Sequence, residues 1–218
     1  MLKDRIESLK KELIDYSLFI QKMFEDSIFS LKNHDLKLSE KILKEMEDFA
    51  NRKEVEIENE CVSIIATNQP VASDLRTLFT ILKINNDLER IGDHCVNISS
   101  RVDSLKSEKI FERNKDLEKI YIVVKRMFED SIKSFVNGDI NLAKEVLEED
   151  DNVDMLRDKI VKEIISGINK CEGDSFLEIV IMDVARNLER IADLSTNIAE
   201  DTIFMITGKS VKHHFEKI

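Results

Sequence analysis

Leu88-Glu89-Arg90-Ile91-Gly92-Asp93 recurs as Leu188-Glu189-Arg190-Ile191-Ala192-Asp193, an offset of 100 residues. Each block is followed at the same distance by Asn-Ile, at Asn97-Ile98 and Asn197-Ile198. A second string, Met23-Phe24-Glu25-Asp26-Ser27-Ile28, returns unchanged at Met127-Phe128-Glu129-Asp130-Ser131-Ile132, an offset of 104. Self-similarity at one long period marks an internal duplication. Its boundary falls near residues 105–109, so the first repeat covers 1–106 and the second covers 107–218 with a short C-terminal tail. The second copy is four residues shorter between its two marks.

The repeated unit reads as helix. One proline and five glycines in 218 residues leave too few tight reversals for a sheet protein. Ile6, Leu9, Leu13, Tyr16, Ile20 and Met23 recur at steps of three and four, a heptad-like seam. Leu117, Ile120, Val124 and Met127 repeat its last four positions. The first copy is predicted to form helices over 2–31, 35–67 and 70–105, with Pro70 in the first turn of the third. In the second copy, Asn137-Gly138-Asp139 ends the fourth helix and caps the fifth, Glu172-Gly173-Asp174 does the same before the sixth, and Gly208 closes it. The expected fold class is all-α: a tandem duplication of an antiparallel three-helix bundle, six long helices joined by short turns, the two bundles end to end or side by side.

Composition narrows the function. A net charge of −11 disfavours sequence-blind binding to nucleic acid or anionic lipid. Cys61, Cys95 and Cys171 are odd in number and contain no CxxC pair, which fits reduced thiols in a cytoplasmic protein rather than a disulfide framework or a zinc knuckle. The N-terminus lacks a signal-peptide core, and no apolar run is long enough to span a bilayer. Any membrane role therefore runs through partners.

The chemistry lies in the repeated blocks. Glu89, Asp93 and Asn97 stand four residues apart, preceded at the same step by Asn85. Glu189, Asp193 and Asn197 form the second ladder, extended by Asp201. Side chains at this spacing share one helix face. Like charges so placed repel by about 0.2–0.5 kcal/mol per pair, and a bound cation reverses that sign. The donors are all hard oxygens, which suit iron, manganese, magnesium or calcium. A single Glu-x-x-x-Asp on a charged helix is ordinary solvated surface; the weight here comes from its duplication. Arg90 and Arg190 supply partial neutralisation. His94 lies about 100° around the helix from Asp93. Asp150, Asp151 and Asp154 open a second acidic surface that can face the ladders. Asp74 and Arg76 read as a helix-start acid and its salt-bridging arginine. His34 reads as a turn residue, and His213 and His214 as part of a loose tail. No nucleophile–His–Asp grouping or glycine-rich phosphate loop is present.

At these residues the chain resembles a known family. The run Cys61-Val62-Ser63-Ile64-Ile65-Ala66-Thr67-Asn68-Gln69-Pro70-Val71-Ala72-Ser73-Asp74-Leu75-Arg76, with Leu88-Glu89-Arg90-Ile91-Gly92-Asp93 downstream, resembles the signature of the PhoU family of phosphate transport accessory proteins. The resemblance implies a cytoplasmic, non-enzymatic regulator. It would negatively modulate uptake by a phosphate ABC transporter, through its ATPase subunit, and phosphate-starvation signalling through a sensor histidine kinase. It also implies a homodimer, and metal, iron or zinc or another divalent ion, on Glu89, Asp93, Glu189 and Asp193 with Asn97 and Asn197 beside them. The second copy departs from the pattern: it lacks the Gln-Pro string and carries Ala192 and Leu194 in place of Gly92 and His94. The alternatives are a metal-dependent bundle enzyme, an oxidase or phosphohydrolase, and a metal-free structural adaptor.

Overall fold

In the computed structural model the chain is described over residues 2–105, 108–169, 174–209 and 211, and every regular element among these is helical. The first half contains α1 (Leu2–Asn33), a short α2 (Leu36–Lys41) that passes through a π turn (Ile42–Met46) into α3 (Glu47–Asn68), and α4 (Ala72–Ser99). The second half contains a single turn, α5 (Ile110–Arg113), then α6 (Asp116–Asn137), α7 (Ile140–Asn169) and α8 (Ser175–Thr207). The expected all-α duplicated bundle is present. The π turn and α5 are additions to it.

Local chemistry ends and starts the helices where the turn residues indicate. Gly138 closes α6 at φ 63° and Gly208 closes α8 at φ 71°, both left-handed positions that cost glycine little. Asp139 accepts the backbone N–H groups of Asn141 and Leu142 at 3.0 and 3.1 Å, and Asp174 accepts that of Phe176 at 2.9 Å. These are N-caps that satisfy otherwise unpaired donors. Pro70 sits in the connection rather than in the helix: Gln69 is left-handed at φ 46° and α4 begins at Ala72. Cys171, Glu172, Gly173, His213 and His214 lie outside the described residues.

The buried positions show where the second copy is shorter. Ser39 matches Ala143 and Ile42 matches Val146 at an offset of 104; past the π turn, Ala50 matches Val153 and Ile57 matches Ile160 at 103, every one of them buried. A π turn accommodates one extra residue in a helix, and α7 is continuous there. The other three residues are lost between Ile57/Ile160 and Leu88/Leu188. The seam residues Ile6, Leu9, Leu13, Tyr16, Ile20 and Met23 are all buried, as are Leu117, Ile120, Val124 and Met127.

The halves pack side by side through α4 and α8. Thr80 Oγ1 donates to the Asp201 carbonyl at 3.3 Å, His94 Nδ1 meets Asn187 Oδ1 at 2.9 Å, and Arg76 Nε donates to the Met205 carbonyl at 3.4 Å. The partner numbers in each pair total 281, so the helices are antiparallel. With the 100-residue repeat, this makes the pair pseudo-two-fold about Arg90–Ile91 and Arg190–Ile191. Lys83 Nζ to Asp201 at 2.6 Å and Arg101 Nε to Asp183 at 2.8 Å pin the two ends of the seam. On the other side, Lys125–Glu25 at 2.7 Å and Lys32–Glu118 at 2.6 Å bridge α6 and α1.

Candidate functional site: two acidic ladders beside the α4–α8 seam

Three faces of α4 have separate tasks. Leu88, Ile91, Cys95 and Ile98 enter the core of the first half. Thr80, Lys83 and His94 meet α8. Glu89, Asp93 and Asn97 lie on the remaining face, Glu89 partly buried and the other two exposed. The repeat gives α8 the same division, with Glu189, Asp193 and Asn197 all partly buried.

The carboxylates of each ladder are close enough to disturb one another. Burial pushes the Glu89 carboxyl above its usual range, and the charges of Asp93 and Glu54 push it further, with Arg90 opposing. In the second half, burial raises Glu189, followed by the charge of Asp193, while Arg157 and Arg190 pull it back. Asp193 is raised by burial and then by Asp150. Asp150 is raised by burial and then by Asp154 and Asp151. The acidic stretch of α7 thus faces the second ladder. Glu54 of α3 has the same relation to the first, with its own carboxyl raised by burial and by Glu58.

Several sequence expectations change here. Asp201 leaves the ladder: it is 3% exposed and bound to Lys83 across the seam. Asn85 also turns inward, donating from Nδ2 to the Glu54 carbonyl at 2.9 Å and clamping α4 to α3. Both positions share the i+4 step of the ladder, but a helix face wider than the ladder curves into packed surfaces at its ends. Arg76 reaches the carbonyl end of α8 at Met205, a favourable place for a cation. His94 belongs to the seam. Asn187 Nδ2 donates to the Asp183 carbonyl at 2.8 Å, which turns Oδ1 toward His94 Nδ1 as acceptor.

The donors available to a metal are oxygens only, and among the described residues no three Asp, Glu, His or Cys side chains converge on one point. A cation here would be met by a carboxylate pair completed by neutral oxygens or water, which hard ions accept. A cavity of about 920 Å³ lies elsewhere, at the α1–α6 junction, lined by Lys32, His34, Ile110 and Phe111 among others. No helix among the described residues is long and apolar enough to cross a membrane.

Glu54 and Arg157 were not singled out by the sequence pattern, and Tyr16 was read only as part of the buried seam of α1. Glu54 and Arg157 align only once the π turn is counted, because the helices containing them match at 103 rather than 100 or 104.

Comparison with known proteins agrees with this architecture. The PhoU domain family model matches residues 13–102 and 117–202, once in each half. A phosphate-specific transport system accessory protein PhoU homolog of Clostridium acetobutylicum is 36% identical over 207 residues, 94% of both chains. PhoU homolog 1 of Thermotoga maritima is 34% identical over 205 residues, 94% of this chain and 88% of its own. The crystal structure of PhoU from Pseudomonas aeruginosa superposes with a TM-score of 0.89 at 29% identity, covering 96% of this chain and all of that one. That of the phosphate transport system regulatory protein PhoU from Streptococcus pneumoniae has the same TM-score at 24% identity over 97% of this chain, a likeness of fold. With both copies matched and relatives above 30% identity along nearly its whole length, the chain belongs to the PhoU family.

Proposed function

We propose that this chain is a non-enzymatic accessory regulator of a phosphate transport system. It acts in the cytoplasm, limits uptake by the phosphate ABC transporter through contact with the ATPase subunit, and holds a sensor histidine kinase in its repressing state while phosphate is plentiful. The family membership supports the transport role. The observation that carries a binding mechanism is the pair of ladders: mutually repelling carboxylates, of which Glu89, Glu189 and Asp193 are partly buried, on the two helices that join the halves. Such charge is unfavourable in the isolated protein and is relieved by a cation or a basic partner surface. Glu89, Asp93, Asn97, Glu189, Asp193 and Asn197 are the residues proposed to hold it, with iron, zinc or another divalent metal as the cation. A divalent ion held by these residues would supply positive charge that offsets the carboxylates and attracts acidic groups of a partner.

Deletion of the gene tests the reading. Phosphate uptake should rise and a starvation-response reporter should switch on in phosphate-replete medium. Unchanged uptake and a silent reporter would remove the proposal.

A further inference from the structure

We infer that the outer edge of the α4–α8 seam is a docking strip for a partner's helix with an acidic contacting stripe: Arg90 and Arg190 receive the acids at its middle, and Phe79 and Ile179 hold its two ends. The inference rests on the reading of the chain as a regulator that works by binding, and it names the chemistry of what is bound. It needs no metal on the ladders.

Helical spacing places the strip. Phe79, Asn86 and Arg90 stand at steps of seven and four, which share one face of α4, and the repeat puts Ile179, Arg186 and Arg190 on the same face of α8. All six are exposed. Because α4 and α8 are antiparallel about Arg90–Ile91 and Arg190–Ile191, the two arginines come together at the middle of the seam. His94, bonded to Asn187 across the seam at 2.9 Å, is reached by the charges of both Arg190 and Arg90. The two apolar side chains fall at opposite ends. Ile179 is level with Val102, about 23 residues along from Phe79, or about 35 Å at ~1.5 Å per residue.

The charge pattern selects the occupant. Neither central arginine is held by a close carboxylate: Arg90 Nη1 is 3.7 Å from Asp87 and Arg190 Nε is 3.8 Å from Glu189, with side chains 51% and 57% exposed. Contacts of that length lie beyond hydrogen-bond reach and are worth little in water. Among the described residues Arg186 has no hydrogen bond or ion pair. On a chain of net charge −11 these guanidiniums form a narrow positive strip, bordered on its outer sides by Glu89 and Asp93 and by Glu189 and Asp193. A nucleic-acid backbone or an anionic bilayer is broader than the strip and meets those carboxylates. A second copy of the chain laid on this face about the same axis sets arginine against arginine. A helix is narrow enough. One column of Asp or Glu reaches the arginines, lysines on its flanks reach the ladders, and apolar side chains at its ends reach Phe79 and Ile179. Arginine and large apolar side chains at the middle and ends of such a contact are suited to carry its energy.

Fluorescence anisotropy with the full chain, in chelator and low salt, tests this. The probe is a labelled synthetic helix of about 23 residues, with leucine in its first and last turns, glutamate along the middle of one stripe and lysine on the two flanking stripes. The control peptide exchanges the glutamates and lysines. The probe should bind roughly tenfold or more tightly than the control, and added salt should weaken it. Arg90→Ala with Arg190→Ala should weaken the probe by roughly tenfold or more, the scale of a hot-spot contact, and Phe79→Ala with Ile179→Ala should do the same, with helical content unchanged by circular dichroism. Arg90→Glu with Arg190→Glu should move the preference to the control. No binding of the probe, equal binding of probe and control, or binding that survives the double alanine change at the arginines would overturn the strip. So would self-association, or binding of duplex DNA or anionic vesicles, that the arginine change abolishes. Uptake and reporter levels on gene deletion are read separately, so the strip can fail while the proposed function stands.

Discussion

Lys83→Met should destabilise the whole chain by about 2–3 kcal/mol, because it strands a carboxylate at the joint between the halves. Asp201 is 3% exposed and its side chain is paired with Lys83 Nζ at 2.6 Å. Removing one member of a fully buried ion pair costs about 3–5 kcal/mol. The Lys83 side chain is 32% exposed, so solvent screens part of the interaction and the lower figure for a hydrogen bond to a charged group, about 1.5–3 kcal/mol, is the better base. The ammonium also lies 5.1 Å from the Phe79 ring centre and 5.8 Å from that of Phe204, which adds about 0.5–1 kcal/mol. Methionine keeps the length and the ring contacts, so the loss reports charge rather than a cavity. In thermal unfolding the midpoint should fall by roughly 4–12 °C, at about 2–4 °C per kcal/mol for a chain of this size. Both halves should unfold in one transition. Because Asp201 accepts from Lys83 in place of joining the ladder, Lys83→Met with Asp201→Leu should recover part of the loss. A change below about 0.5 kcal/mol for the single variant, the scale of an exposed pair, would refute the reasoning.

Other outcomes follow from the same structure. Glu89→Gln should stabilise the cation-free protein by about 0.2–0.5 kcal/mol, the scale of like-charge relief on a helix. The folded-state pKa of Glu89 is raised, so the folded protein binds the extra proton; its contribution is present at low pH and is lost as pH rises through the carboxylate range. Denaturation curves across that range should be flatter for the glutamine variant. Gly92→Ala should stabilise by up to about 1 kcal/mol through helix propensity, since its Cβ would meet Ile20, Ala50 and Met23 only at ordinary contact distances of 3.5–4.0 Å; loss of stability on thermal melting would show the layer to be tighter. Asp139→Ala removes the cap of two N–H groups at the start of α7 and should cost about 1 kcal/mol in urea unfolding.

Periodicity and turn chemistry made the helices and their order legible. The heptad steps from Ile6 to Met23 marked the buried stripe of α1, and Gly138, Asp139, Asp174 and Gly208 marked ends that the coordinates place within a residue. The ladders were legible because four-residue spacing determines a shared face without any tertiary information. What a face meets was not legible. Asn85 and Asp201 continue the ladders in sequence, yet one clamps α3 and the other answers Lys83 from another helix. His94 is beside Asp93 in the chain but turns to Asn187. The π turn at Ile42–Met46 hid the pairing of Glu54 with Arg157, because a single inserted residue shifts the repeat without altering the hydrophobic pattern that conceals it. Pro70 was read as helical from its usual place in a first turn, whereas left-handed Gln69 extends the connection to Val71.

The most direct test of the account replaces the ladder charges in the living cell. The variant Glu89→Gln, Asp93→Asn, Glu189→Gln, Asp193→Asn changes four carboxylates to amides of the same shape and should fold at least as well as wild type. If the ladders are the working surface, cells carrying this variant at normal abundance will take up phosphate and express the starvation reporter as the deletion does. Uptake and reporter levels equal to wild type would contradict the central claim.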